Sequence, residues 1–206
     1  MNIAKANRDM NKLFHENGFT GKDCIIAVLD TAVGDVGKMR SHIEHADSYR
    51  VDDKNTDDHG SFISGLLYDW APDATLLSYC VFPDGKGNMA TTNKALEDVI
   101  KRAKADPDHQ YFVNMSLAGN VGKDYVSPVI AKMHTLIQQL NAARVPVYVA
   151  AGNDGSEQLY IYPSRFQEPV CITAANANGS VASYSTWHDQ TDFIEIGSEI
   201  VGITRF

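Results

Sequence analysis

The 206-residue sequence is 44% hydrophobic and 21% charged, the balance of one globular domain with a sizeable core and not of a disordered chain. Its formal net charge of −8, with no cluster of Lys or Arg, excludes the electrostatic footprint of a nucleic-acid or anionic-membrane binder. No stretch approaches transmembrane length and "MNIAKANRDMNKLF" has no apolar signal-peptide core, so a cytoplasmic location and no membrane partner are expected.

In chain order, residues 1–17 read as a short helical segment, and "CIIAVLD" (24–30) as the first strand. "HGSFISGLL", from His59, reads as a buried helix in which Gly60 and Gly65 permit close approach of neighbouring backbone. "TLLSYCVF" (75–82) is a second strand, and residues 91–104 a helix with Leu96, Val99, Ile100 and Ala103 on one face. After the strand "YFVNMSL" (111–117), Ser127 is a plausible N-cap and Pro128 takes the first helical position. Val129, Ile130, Met133, Leu136, Ile137 and Leu140 then share one face. "PVYVAAGN" (146–153) and "PVCITAA" (169–175) complete the strands, all of them short, β-branched and read as buried on both faces. This alternation predicts an α/β fold: a doubly wound, mostly parallel sheet with helices on both faces and a ligand site beyond the carboxyl ends of the strands. Cys24, Cys80 and Cys171 each sit in an apolar run and are expected to be buried free thiols.

Three polar stretches fall at or across from such strand ends. Asp30 closes the first strand; it either caps the following turn or accepts a hydrogen bond from a histidine across the crevice. His59, in "DDHGSFISG", is either incidental to an acidic loop or a base whose tautomer a carboxylate fixes. Asn153, in "VAAGNDGSE", is either turn chemistry or an amide donor to a developing oxyanion.

Taken in order, these stretches resemble the subtilisin-like serine proteases. "GFTGKDCIIAVLDTAV" is similar to the family's aspartate block, "HGSFISG" to its histidine block, "VNMSLAGN" to its substrate-binding strand and "VPVYVAAGNDG" to its oxyanion block. "WAPDATLLSYCVF" resembles the strand after the histidine, and the match runs from about residue 18 to 202. The resemblance implies catalytic roles for Asp30, His59 and Asn153, and substrate-binding roles for Phe82, Ser116, Leu117, Ala118 and Gly119. It implies a polypeptide substrate. Ala32, Phe62 and Ala118 depart from the family pattern, and the methyl of Ala118 should narrow the pocket for the residue before the scissile bond.

No cofactor or metal is expected. "LLYDWAPDA" is short where many relatives insert a calcium loop, and "DKNTDD" (53–58) lacks the central Gly and closing Glu of an EF-hand. Neither "PDGKGN" nor "AGNDGS" is a P-loop.

The family's nucleophile lies in a Gly-Thr-Ser block opening a helix through the middle of the fold, and this sequence reaches "IVGITRF" without one. Ser61 lies within the histidine's helix, Ser116 in the substrate strand, and Ser198 is not at a nucleophile elbow. The expectation is one subtilisin-like domain over 1–206, incomplete at its C-terminus, whose serine comes from a second chain or a C-terminal fragment. The alternative is a catalytically dead pseudoprotease that binds peptide or protein.

Overall fold

The computed structural model describes residues 3–34, 37–46, 58–83, 87–121, 127–157, 160–198 and 200, with side chains described from residue 8 onward. Of the stretch 53–58 only Asp58 is described, and residues 84–86 of "PDGKGN" lie outside.

Helix α1 (Ile3–Glu16) leads into strand β1 (Cys24–Asp30); a 3₁₀ turn (Gly37–His42) and β2 (Ile43–His45) precede α2 (His59–Trp70) and β3 (Thr75–Cys80). Then follow α3 (Met89–Ala105), β4 (Gln110–Met115), β5 (Gly119–Asn120), α4 (Pro128–Ala142), β6 (Val147–Ala150), β7 (Ile161–Tyr162), β8 (Val170–Ala175) and β9 (Phe193–Ile196). Local chemistry sets the helix starts. The Asn88 side chain accepts from Ala90 N at the start of α3, and that of Ser127 accepts from Ile130 N ahead of Pro128 in α4.

Seven strands form one sheet in the order β2-β3-β1-β4-β6-β8-β9, and every ladder in it is parallel. The chain steps from β1 to β3 on one side, then crosses back to β4 on the other. Right-handed crossovers in opposite directions put α2 on one face and α3 and α4 on the other. They also open a crevice beyond the carboxyl ends of β1 and β4. A two-stranded antiparallel ribbon, β5 with β7, lies beyond β4.

The main core lies under α3 and α4, where Leu96, Val99, Ile130, Met133, Ile137 and Leu140 pack on Leu29, Tyr79, Val113, Met115, Val149 and Cys171. The expectation that the strands are buried on both faces fails for the later ones. β4, β6 and β8 alternate between buried and part-exposed residues, and β9 is largely exposed. α2 packs over β1 and β3. Beyond it the same sheet face is open, with Tyr148 37% and Phe193 59% exposed beside half-buried Phe112 and Ile172.

β1 has the residues read from the sequence, whereas β3, β4 and β6 stop short of their expected ends because the chain leaves the sheet there to build the crevice. The edge strands β2 and β9 and the β5–β7 ribbon were not read. Among the described residues no helix is long and apolar enough to cross a membrane.

One polar clamp ties α4 to the segment after β7. His134 Nε2 lies 2.9 Å from Glu168 Oε2, Gln138 Nε2 donates to Glu168 Oε1 at 2.8 Å, and the His134 ring stacks on Phe166 at 4.4 Å. Burial works against the charged form of Glu168, but the bonds from Gln138 and His134 outweigh it and hold the carboxyl below the usual range. A carboxyl depressed in the folded state stabilises above its unfolded value and loses that contribution as pH falls. Glu168→Gln is therefore expected to cost about 1 kcal/mol near neutral pH. In urea unfolding the gap to the parent should close as pH drops below about 4.

Candidate active site

Asp30 ends β1 with 2% of its surface exposed. Its Oδ1 accepts from its neighbour's amide, Thr31 N, at 2.7 Å and pairs with His59 Nδ1, also at 2.7 Å. That distance is in the range of a charge-assisted bond. The bond needs the proton on Nδ1, which leaves Nε2 as the basic nitrogen of the neutral ring. The His59 side chain is 49% exposed, so a substrate or a further side chain can reach it.

His59 stands where it does because the first turn of α2 is fastened to the turn after β1. The opening amides of a helix have no partner within it, and Asp58 makes no side-chain capping bond. Instead, Gly60 N donates to Thr31 Oγ1 at 2.8 Å. Gly34 N in turn donates to Ser61 Oγ at 2.9 Å, and Ser61 is fully buried. The close approach read at Gly60 is extreme: a Cβ there would lie 2.3 Å from the Thr31 carbonyl oxygen. The positioning roles of Thr31 and Ser61 were missed, although a hydroxyl directly after the aspartate was a signal in reach.

The other residues read from the sequence surround the same crevice without joining this pair. Asn153 is exposed just past β6, two strands from β1, after Gly152 at φ +116°. Ser116 and Leu117 are half-buried beyond β4, Ala118 is exposed at the rim, and Gly119 is paired with Tyr162 across the ribbon. Phe82 is half-buried beyond β3, where the backbone of Gly87 lies against its ring. One bond not anticipated is that from Asn114 Nδ2 to Ser116 Oγ, at 3.0 Å.

Other nucleophile candidates are engaged elsewhere. Ser61 is buried in the α2 contact, and Ser198 Oγ bonds Asn176 and the Tyr184 hydroxyl. The cysteines are free thiols, but Cys24 is half-buried where burial was expected, because it opens β1 at the sheet's margin. Burial pushes the Cys171 thiol up to about 11, which leaves little thiolate at neutral pH. Among the described residues no three His, Cys, Asp or Glu side chains are grouped to hold a metal ion.

Comparison with known proteins decides the family. A model of the subtilase family, peptidase S8, matches residues 21–197. The chain belongs to the subtilase family. This subtilase is 26% identical over 204 residues to the thermostable alkaline protease of Halalkalibacterium halodurans, a match covering 92% of this chain and 51% of the relative. It is 24% identical to the minor extracellular protease Epr of Bacillus subtilis, covering 89% of this chain and 28% of Epr. Subtilisin BL of Lederbergia lenta is 26% identical, with 90% of this chain and 68% of the relative covered. The chain thus spans about half the length of the first of these relatives, 51%, and less of the second, 28%. Two solved structures share the fold. A cold adapted subtilisin-like serine proteinase superposes with TM-score 0.74 at 19% identity, covering 91% of this chain and 67% of that one. The prenylagaramide maturation protease PagA superposes with TM-score 0.78 at 18% identity, covering 94% and 70%. The subtilisin-like fold read from the sequence is therefore the observed one.

Two substitutions test how His59 is held. Gly60→Ala forces the Thr31 carbonyl away from α2 and is expected to cost more than about 2 kcal/mol, because a backbone atom, not a flexible side chain, has to move. Thr31→Val keeps the shape but removes the acceptor for Gly60 N, at an expected cost of about 1–2 kcal/mol. Chemical denaturation measures both costs, and the low-field proton of His59 Nδ1 reports whether the pair with Asp30 survives.

Proposed function

We propose that this subtilase is a serine endopeptidase, with its nucleophilic serine contributed by sequence outside these 206 residues. The observation that carries this reading is the 2.7 Å bond between Asp30 and His59 at the carboxyl end of the central strand, in a chain of the subtilase family. The serine hydroxyl attacks the peptide carbonyl carbon, and His59 Nε2 takes its proton. Asp30 holds the imidazolium in place, and the Asn153 amide donates to the tetrahedral oxyanion. His59 then protonates the leaving amine, and water repeats the cycle on the acyl-enzyme. The extended substrate lies along the backbone of Ser116–Ala118, with Phe82 and Leu117 offering apolar surface beside it.

The open sheet face supports an additional segment. Tyr148 of β6 and Phe193 of β9 are large apolar side chains left exposed on the face of the sheet that carries Asp30, over strands outside the α2 contact. On this reading the 206 residues are one subtilisin-like domain lacking its C-terminal part. Three thiols, none in a disulfide, support a reducing location such as the cytoplasm.

A fluorophosphonate probe applied to material from the native source, followed by mass spectrometry, tests the proposal. Labelling is expected on a serine of a co-purifying segment; no labelling at all would favour a peptide-binding pseudoprotease. In the same assembly before labelling, Asn153→Ala is expected to lower kcat about 10²–10³-fold with KM little changed, the magnitude already known for an oxyanion asparagine in a subtilisin.

A further inference from the structure

The Asp30 carboxylate has an unequal distribution of bonds. Oδ1 accepts from both Thr31 N and His59 Nδ1, whereas Oδ2 is buried and accepts no hydrogen bond among the described residues. A buried carboxylate oxygen without a donor is costly, and one attached at a single oxygen is free to turn about its Cβ–Cγ bond.

The sheet register identifies the side chains that flank it. Asp30 is paired with Cys80 of β3 on one side. On the other, Val28 is paired with Asn114, so the residue two further along, Ser116, comes next to Asp30 just beyond the last rung of the ladder. Side chains alternate along a strand. Leu29, Tyr79 and Met115 point into the core under α3 and α4, so Asp30, Cys80 and Ser116 project on the face that carries α2. Neighbouring strands run about 4.8 Å apart, within reach of a serine hydroxyl turning about χ1 or bridging through one water. Of the two flanking groups the hydroxyl is the stronger donor.

Ser116 is also prepared for this. Asn114 Nδ2 donates to Ser116 Oγ at 3.0 Å, which occupies a lone pair of the hydroxyl and leaves its O–H to be given elsewhere.

We infer that Ser116 is a positioning residue: its hydroxyl, oriented by Asn114, donates to Asp30 Oδ2 directly or through one buried water and so locks the carboxylate that holds His59. This rests on the reading of Asp30 and His59 as the working pair of the proposed peptidase. Held at both oxygens, the carboxylate cannot swing away from Nδ1, and its charge is shared between the two bonds. Without Ser116 the charge gathers on the side facing His59 and favours the imidazolium.

Nitrogen-15 imidazole spectra of the full-length protein, recorded across a pH series, test the inference without any need for turnover. Ser116→Ala is expected to raise the midpoint of the His59 titration by about half a pH unit and to move its Nδ1 proton. Ser116→Thr, which keeps the hydroxyl, should leave both near the parent. Thermal unfolding recorded alongside separates a change at the site from loss of fold. The inference fails if Ser116→Ala leaves both signals unchanged, if Ser116→Thr moves them as far, or if Cys80→Ala alone produces the shift. Asp30→Asn separates the two levels. If it leaves the His59 signals unchanged, the pairing itself is wrong and both readings fall; if it moves them while Ser116→Ala does not, only the role of Ser116 falls.

Discussion

A histidine serves as a directed base only if its carboxylate partner and its own backbone are held to one another within a few tenths of an ångström. Here the holding is done by the contact between the first turn of α2 and the turn after β1. Thr31 supplies the acceptor that Gly60 N needs, Ser61 accepts from Gly34, and the missing side chain of Gly60 lets the two backbones meet. One of the two bonds satisfies Gly60 N, an opening amide of α2 that has no partner within the helix. The bond that finishes the helix start is therefore also one that aims His59 at Asp30.

The sheet carries this contact to the right place. β1 is central, and the chain reverses its direction of winding there, so the end of β1 opens on a crevice instead of being roofed by a connection. The strands β4 and β6 end at the same crevice and release Ser116 and Asn153 into irregular segments, where backbone and side chain can face a ligand. The two faces of the sheet are unequal. Under α3 and α4 lies a continuous apolar core, while on the opposite face, over strands that α2 does not cover, Tyr148 of β6 and Phe193 of β9 are exposed. Stability is thus concentrated on the side of the sheet away from Asp30 and His59.

Peripheral polar ties keep the elements around the site in register. Arg102 of α3 bonds both Asp98 and Glu44 of β2, and the Tyr79 hydroxyl donates to the same Asp98. The Glu168 clamp fastens α4 to the segment that follows β7, and β7 pairs with the ribbon strand next to Ser116. Such partly exposed pairs add modest stability individually. Their effect is to fix how the outer helices sit relative to the crevice.

By itself the sequence determined the class of fold, because strand and helix periodicities are local and β1, α3 and α4 carry strong ones. It also determined which residue types could form a site, because Asp30 and Asn153 are polar groups placed where apolar runs end and His59 is one placed where an apolar helix begins. The edge strands β2 and β9 escaped it, since three or four residues paired on one side only leave too short a pattern, and so did the ribbon of β5 and β7, whose pairing is between residues far apart in the chain. Only the tertiary structure decided that Asp30 and His59 meet at 2.7 Å, that Thr31 and Ser61 fasten them, and that Asp30 Oδ2 is buried with no hydrogen bond among the described residues. The first two are matters of distance between residues 27 to 29 positions apart, and the third of what lies around one buried atom. Neither kind of fact has a local signature, because each depends on how packing closes the space between elements.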